Sequence, residues 1–165
     1  MNEPLRPAPA QFLCEDSIRG GMDLLLFAHK SHLRKSDDEL AELKLGRAHH
    51  RVLYFVARRP GMTVANLLDL LGITKQSLNR IQKDLLARGL IVQDVGRQDR
   101  RQRLLRLTPE GEKLEQRLFD DLHDNMLRAY TEAGEAAVNG YWLLMQALMS
   151  PEARAQFATF HRKDG

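Results

Sequence analysis

Apolar residues recur at helical spacing soon after the start of the chain. Ile18, Met22, Leu25, Leu26 and Leu33 predict a first helix from Asp16 to about Arg34, with Ser17 or Asp16 as its N-cap. A charged connector, SDDELAEL, then leads to Leu45 and Gly46. In RAHHRVLYFVARR the apolar positions Val52, Leu53, Phe55 and Val56 predict a second helix, stopped by Pro60-Gly61. Thr63 is placed to cap a short helix, VANLLDLL, and Gly72 to end it in the left-handed conformation. Thr74 caps the next segment, KQSLNRIQKDLLARG, whose core face is Leu78, Ile81 and Leu85 and whose stop is Gly89.

Two short capped helices joined by a tight glycine-containing turn predict a helix-turn-helix. LIVQDV, a polar tip and RLLRL follow, with Leu105 and Leu107 alternating against charged neighbours, so a β-hairpin or wing is expected over about 92–107. Thr108-Pro109-Glu110-Gly111 restarts helix: threonine caps, proline fits the first turn, and an acid sits at the positive end of the dipole. The long helix through Leu114, Leu118, Leu122, Met126 and about Tyr130 is broken by Gly134. A further amphipathic segment carries Val138, Tyr141, Trp142, Met145 and Leu148, and a short tail follows Pro151. The predicted class is mainly α with a small β-wing (α+β). Its organisation is a proline-rich flexible arm over 1–14, a helix with connector over 15–45, a winged helix-turn-helix lobe over 46–108, and C-terminal helices over 109–165.

With 165 residues, 43% hydrophobic and 28% charged, the chain is expected to form one compact soluble domain with a sizeable core. Cys14 is the single cysteine, and no h-region or long uncharged apolar run is present, so a cytoplasmic protein is expected, with no membrane contact.

Charge distribution changes the picture more than its total of +3. Of 25 basic and 22 acidic residues, nine and three fall between Thr74 and Leu107, leaving sixteen and nineteen for the rest. One strongly basic segment on an otherwise acidic chain is the footprint expected for phosphate backbones.

The predicted recognition helix, about 74–88, turns Gln76, Arg80 and Lys83 away from its core face, with Asn79 at the flank. Gln and Asn can bond adenine bidentately and Arg can do so with guanine, whereas lysine usually meets phosphate. Thr74, Lys75 and Ser77 at the helix start join this DNA-binding set. From the wing come Arg97, Asp99, Arg100, Arg101 and Arg103.

Through Asp99, Arg101, Leu105, Leu107, Thr108 and Gly111, within DRRQRLLRLTPEG, the chain resembles the MarR family of winged-helix regulators over nearly its whole length. RAHHRVLYF and TKQSLNR resemble its PetP-type subgroup. The resemblance implies that Asp99 holds an arginine pair so that Arg101 enters the minor groove. It further implies that helix one and the C-terminal helices form a dimer interface, an inference that the apolar stripe of Tyr141, Trp142, Met145 and Leu148 supports independently.

These readings together lead to a homodimeric, sequence-specific, double-stranded DNA-binding transcription regulator, expected to be a repressor acting at a pseudo-palindromic operator. The alternative is a winged-helix interaction module that binds RNA or an acidic protein surface. Many MarR relatives bind small aromatic or anionic effectors, and Arg47, His49, His50 and Tyr54 are candidate pocket residues, with packing against the dimer helices an equal reading. Cys14 is a candidate redox site, although Glu15 and Asp16 beside it oppose a thiolate. His29 with His32, and His49 with His50, lack further ligands at metal-site spacing, so no metal or other cofactor is expected. No P-loop, HExxH, nucleophile elbow or paired-cysteine motif is present, and no enzymatic activity is expected.

Overall fold

The computed structural model describes residues 12–96 and 101–161. Among them the chain runs through α1 (Glu15–Glu42), α2 (Arg47–Arg58), β1 (Met62–Thr63), α3 (Val64–Leu71), α4 (Lys75–Ala87), β2 (Ile91–Val95), β3 (Arg103–Leu107), α5 (Pro109–Ala133), α6 (Glu135–Leu148) and α7 (Pro151–His161). The fold is mostly helical with one small antiparallel sheet, as the sequence pattern predicts.

The helix-turn-helix forms where its caps place it. Thr63 accepts from the Asn66 amide, Gly72 ends α3 at φ +61, and Thr74 accepts from the Ser77 amide to start α4. Leu78, Ile81 and Leu85 turn into a core completed by Val52, Leu53 and Val56 of α2, Leu67 of α3, Leu105 of β3, and Leu114 and Leu118 of α5. Burial of such a leucine contributes about 1.5–3 kcal/mol, so the orientation of α4 is set by packing on its back face. That leaves the opposite face exposed.

The sheet order is β1-β3-β2, with Ile91 opposite Leu107, Val95 opposite Arg103, and Met62 opposite Leu105. Ile91 and Leu105 are buried at the base of the hairpin, whereas Val95 and Arg103 stand exposed toward its tip. β1 is too short to show periodicity and was not expected. It exists because the turn after Pro60 lays Met62 along β3, helped by the Gly61 amide donating to the Leu105 carbonyl.

Two other expectations need correction. SDDELAEL is no connector: α1 continues through it to Glu42, because Ser36 and Leu40 are buried and Arg117 of α5 pairs with Glu39 at 3.0 Å. Its N-cap is Cys14, not Ser17 or Asp16, and Cys14 makes no side-chain cap bond. The short tail after Pro151 is a further full helix, α7, and it docks on α2 and α3. Arg59 Nη2 donates to the Thr159 carbonyl at 2.6 Å, and Gln156 Nε2 to the Asp69 carbonyl at 3.4 Å.

α1 ends sharply. The Leu45 amide bonds the Leu40 carbonyl at 2.8 Å and the Lys44 amide the Ala41 carbonyl at 2.9 Å, the paired pattern of a Schellman cap, with Leu40 and Leu45 both buried. Lys44 holds the left-handed position at φ +55 without being glycine, a conformation that costs an ordinary residue about 1–2 kcal/mol.

Large apolar side chains remain in the open. Ile18, Met22, Leu25, Leu26 and Phe27 of α1 are 44–71% exposed, and no residue of α6 is buried. Within the described residues no helix is long and apolar enough to cross a membrane.

Candidate nucleic-acid interface

The exposed face of α4 forms an open depression lined by Lys75, Gln76, Asn79, Arg80 and Lys83. Their spacing accounts for most of this: Gln76, Arg80 and Lys83 lie on the side opposite Leu78 and Leu85, which the core holds, Asn79 flanks them, and Lys75 joins from the first turn. Five predicted residues therefore share one surface that presents amide, guanidinium and ammonium groups together. Thr74 and Ser77 lie at its N-terminal edge, and there they are engaged with each other. The Thr74 hydroxyl donates to Ser77 Oγ at 2.9 Å while accepting from the Ser77 amide at 3.2 Å. Their main task is the cap, and the α4 N-terminus they secure directs amide donors and a positive dipole end outward.

In the wing, Arg101 and Arg103 are exposed where β3 begins. Arg97, Asp99 and Arg100 lie outside the described residues. A basic residue that the site reading omitted, Arg106, pairs across the hairpin with Asp94 at 3.2 Å. The pair lies nearer the hairpin base than the tip, and its cross-strand position could be read only once the register was known.

The four candidate pocket residues do not share one site. Arg47 forms a two-pronged pair with Asp37 of α1, Nε to Oδ1 at 2.9 Å, and that bond holds the Asp37 carboxyl below the usual carboxylate range. His49 Nδ1 accepts from the Gly46 amide at 3.2 Å, and His49 Nε2 lies 3.1 Å from Asp84 of α4. His50 is buried, its Nε2 has no hydrogen-bond partner, and burial pushes its pKa down against the pull of Asp37. Tyr54 stands apart. Its hydroxyl accepts from Arg58 Nη1 at 3.2 Å, and its ring lines a cleft of about 300 Å³ with Phe55, Leu70, Phe157 and Phe160 between α2 and α7.

Cys14 is exposed, with Sγ 3.3 Å from Ser17 Oγ. Its thiol is shifted down from the ordinary value, first by the Ser17 hydroxyl and then by amides of the opening helical turn. Among the described residues no three His, Cys, Asp or Glu side chains come together as a metal site.

Sequence reasoning missed two side chains of α4. Gln82 is buried among the core leucines with Nε2 unpartnered. Asp84 receives both Arg88 Nε, at 2.7 Å, and His49. Only the i,i+4 spacing of Asp84 and Arg88 was a visible signal.

Comparison with known proteins agrees with this geometry. The profile described as MarR family matches residues 43–102, the stretch from the end of α1 into the wing. The HTH-type transcriptional regulator PetP of Rhodobacter capsulatus is 40% identical over 146 residues, which are 88% of this chain and 88% of that protein. Among solved structures, an uncharacterized SlyA-like transcription regulator from Listeria monocytogenes superposes with a TM-score of 0.66 at 21% identity, over 87% of this chain and 96% of that one. The S. aureus MepR F27L mutant, bound to an oligodeoxyribonucleotide, gives 0.54 at 20% identity, over 76% and 92%. With a relative this similar along most of both chains, and with the helix-turn-helix, wing and flanking helices all in place, the chain belongs to the MarR family and is a helix-turn-helix transcriptional regulator rather than an enzyme.

Proposed function

We propose that two copies of this chain bind a pseudo-palindromic duplex operator and repress transcription from it. In this reading residues 46–108 are the DNA-binding lobe, while 15–45 and 109–165 supply the dimer contacts. α4 enters the major groove and Arg101 of the wing the minor groove, with Asp99 orienting it. The observation that carries the proposal is the single face of Lys75, Gln76, Asn79, Arg80 and Lys83 on a helix whose back is locked into the core. Support comes from the exposed apolar residues of α1 and α6, which a second subunit would cover, and from the DNA carried by the similar MepR protein. A two-fold dimer places its recognition helices about one helical turn apart on the duplex. A small aromatic or anionic effector is the proposed signal, acting where Arg47, His49 and His50 join α1 to α2.

Fluorescence anisotropy on labelled duplex tests the reading. Affinity for random duplex should fall steeply with salt, as release of counterions from neutralised phosphates requires. Salt-insensitive or undetectable duplex binding overturns it, and affinity for RNA or acidic polypeptide alone would assign the basic face to an interaction module.

A further inference from the structure

Arg88, the residue that closes α4, does not point toward the reading face. Its guanidinium crosses to the end of α1, where Nη1 donates to the Leu43 carbonyl at 2.8 Å and Nη2 to the Lys44 carbonyl at 3.4 Å. Carbonyls at a helix end lack partners within their own helix and carry the negative end of its dipole. The last turn of α1 contains no basic residue of its own, so the cation is supplied from α4. Asp84 fixes the direction of that guanidinium by accepting from Nε at 2.7 Å, and it binds His49 of α2 with its other oxygen. His49 is in turn anchored by the Gly46 amide. The end of α1, the start of α2 and the end of α4 thus meet in one continuous set of polar contacts. The Schellman cap and the left-handed Lys44 leave little slack in the chain between α1 and α2.

At 3.6 residues per turn, Asp84 and Arg88 lie roughly 80–120° around α4 from Gln76, beside the reading face rather than on it. α1 carries the exposed apolar residues assigned above to the dimer. We infer that Arg88 and Asp84 are positioning residues: together with His49 they lock the recognition helix to the dimer helix and so set the half-site spacing that the dimer accepts. This rests on the DNA-binding homodimer proposed above.

The lever arm shows why the lock matters. Gln76 and Arg80 stand eight to twelve residues from Arg88, which is about 12–18 Å along the helix axis. Rocking α4 by about 10° about its Arg88 end would move the reading face by roughly 2–3 Å, close to the ~3.4 Å rise of one base pair. A loosened joint would therefore blur spacing by about one base pair. Core packing of Leu78 and Leu85 keeps α4 in its lobe, and the polar contacts of Arg88 and Asp84 add the tie to α1.

The test uses the full-length protein, an operator selected from a random duplex library, and versions of it with one base pair inserted or deleted at the centre. Wild type should lose about tenfold or more in affinity on either change, whereas Arg88→Ala should lose less than about threefold while binding the optimal site more weakly. Asp84→Asn, which keeps the side-chain size, should relax spacing in the same direction and serves if Arg88→Ala folds poorly. Because Arg88 is not assigned to phosphate, the salt dependence on random duplex should be the same in wild type and variants. A salt slope reduced by about one in Arg88→Ala would make Arg88 a phosphate contact and overturn the inference. Variants that weaken binding but discriminate spacing as sharply as wild type would leave Arg88 and Asp84 a purely structural role, and would overturn the inference alone. A wild type with no duplex affinity would overturn the DNA-binding proposal and this inference with it.

Discussion

Gly111→Ala is the substitution for which the structure and simple helix propensity give opposite signs. Gly111 is the third residue of α5, and on an exposed helix alanine is more favourable than glycine by about 1 kcal/mol. Here a Cβ would sit 1.9 Å from the Leu90 carbonyl oxygen and 2.9 Å from its carbon, against ordinary contact at 3.4 Å or more. The obstacle is backbone and cannot rotate away. α5 must retreat by about 1 Å or more, which pulls on two bonds from Thr108: its amide to the Leu90 carbonyl at 3.1 Å, and its hydroxyl to the Gly89 carbonyl at 2.6 Å. Losing those bonds costs about 1 kcal/mol each, and overpacking adds about 1–3 kcal/mol. Set against the helix-propensity gain of about 1 kcal/mol, a net destabilisation of about 2–4 kcal/mol follows, or a Tm lower by roughly 4–16 °C for a domain of this size. The assay is thermal unfolding at fixed protein concentration, since dimerisation would otherwise shift Tm. A Tm equal to or above that of wild type would refute the close approach of α5 to Leu90.

Two further outcomes are expected. Arg80→Ala should weaken operator binding by about 1–3 kcal/mol and relax preference at particular positions, whereas Arg103→Ala should weaken all sequences about equally; binding profiles on a single-substitution operator library distinguish the two, and identical profiles would remove the division of labour. Burial lowers the pKa of His50, so as pH falls below about 6.5 the unfolded chain takes up the proton first. This contribution is therefore complete above the unfolded pKa and is lost as pH falls through it toward the lowered folded value. The drop in Tm between about pH 7.5 and pH 5.5 should shrink in His50→Gln, and an equal drop would exclude His50 as its source.

The reading face of α4 was legible from the sequence because every feature that makes it is local. Thr74 caps through the amide three residues on, Leu78, Ile81 and Leu85 repeat at helical spacing, and that spacing turns Gln76, Arg80 and Lys83 outward. The same holds for α3 between Thr63 and Gly72, and for the start of α5 at Thr108-Pro109. The extent of α1 was not legible, because the charged run SDDELAEL is helical through contacts with α5, as in Arg117–Glu39, that lie far away in the chain. Tertiary contact likewise decided β1, which needs Leu105 as a partner, and α7, whose Thr159 carbonyl meets Arg59. Gly111 was visible as a letter of the wing motif, yet its reason, a carbonyl 1.9 Å from where a side chain would begin, exists only once α5 is packed on the turn before β2. Local hydrogen bonds and periodicity act over a few residues and so can be read along the chain. The joint of α1, α2 and α4 at Asp84 and Arg88 depends on segments about forty residues apart, and only their packing brings those groups into reach.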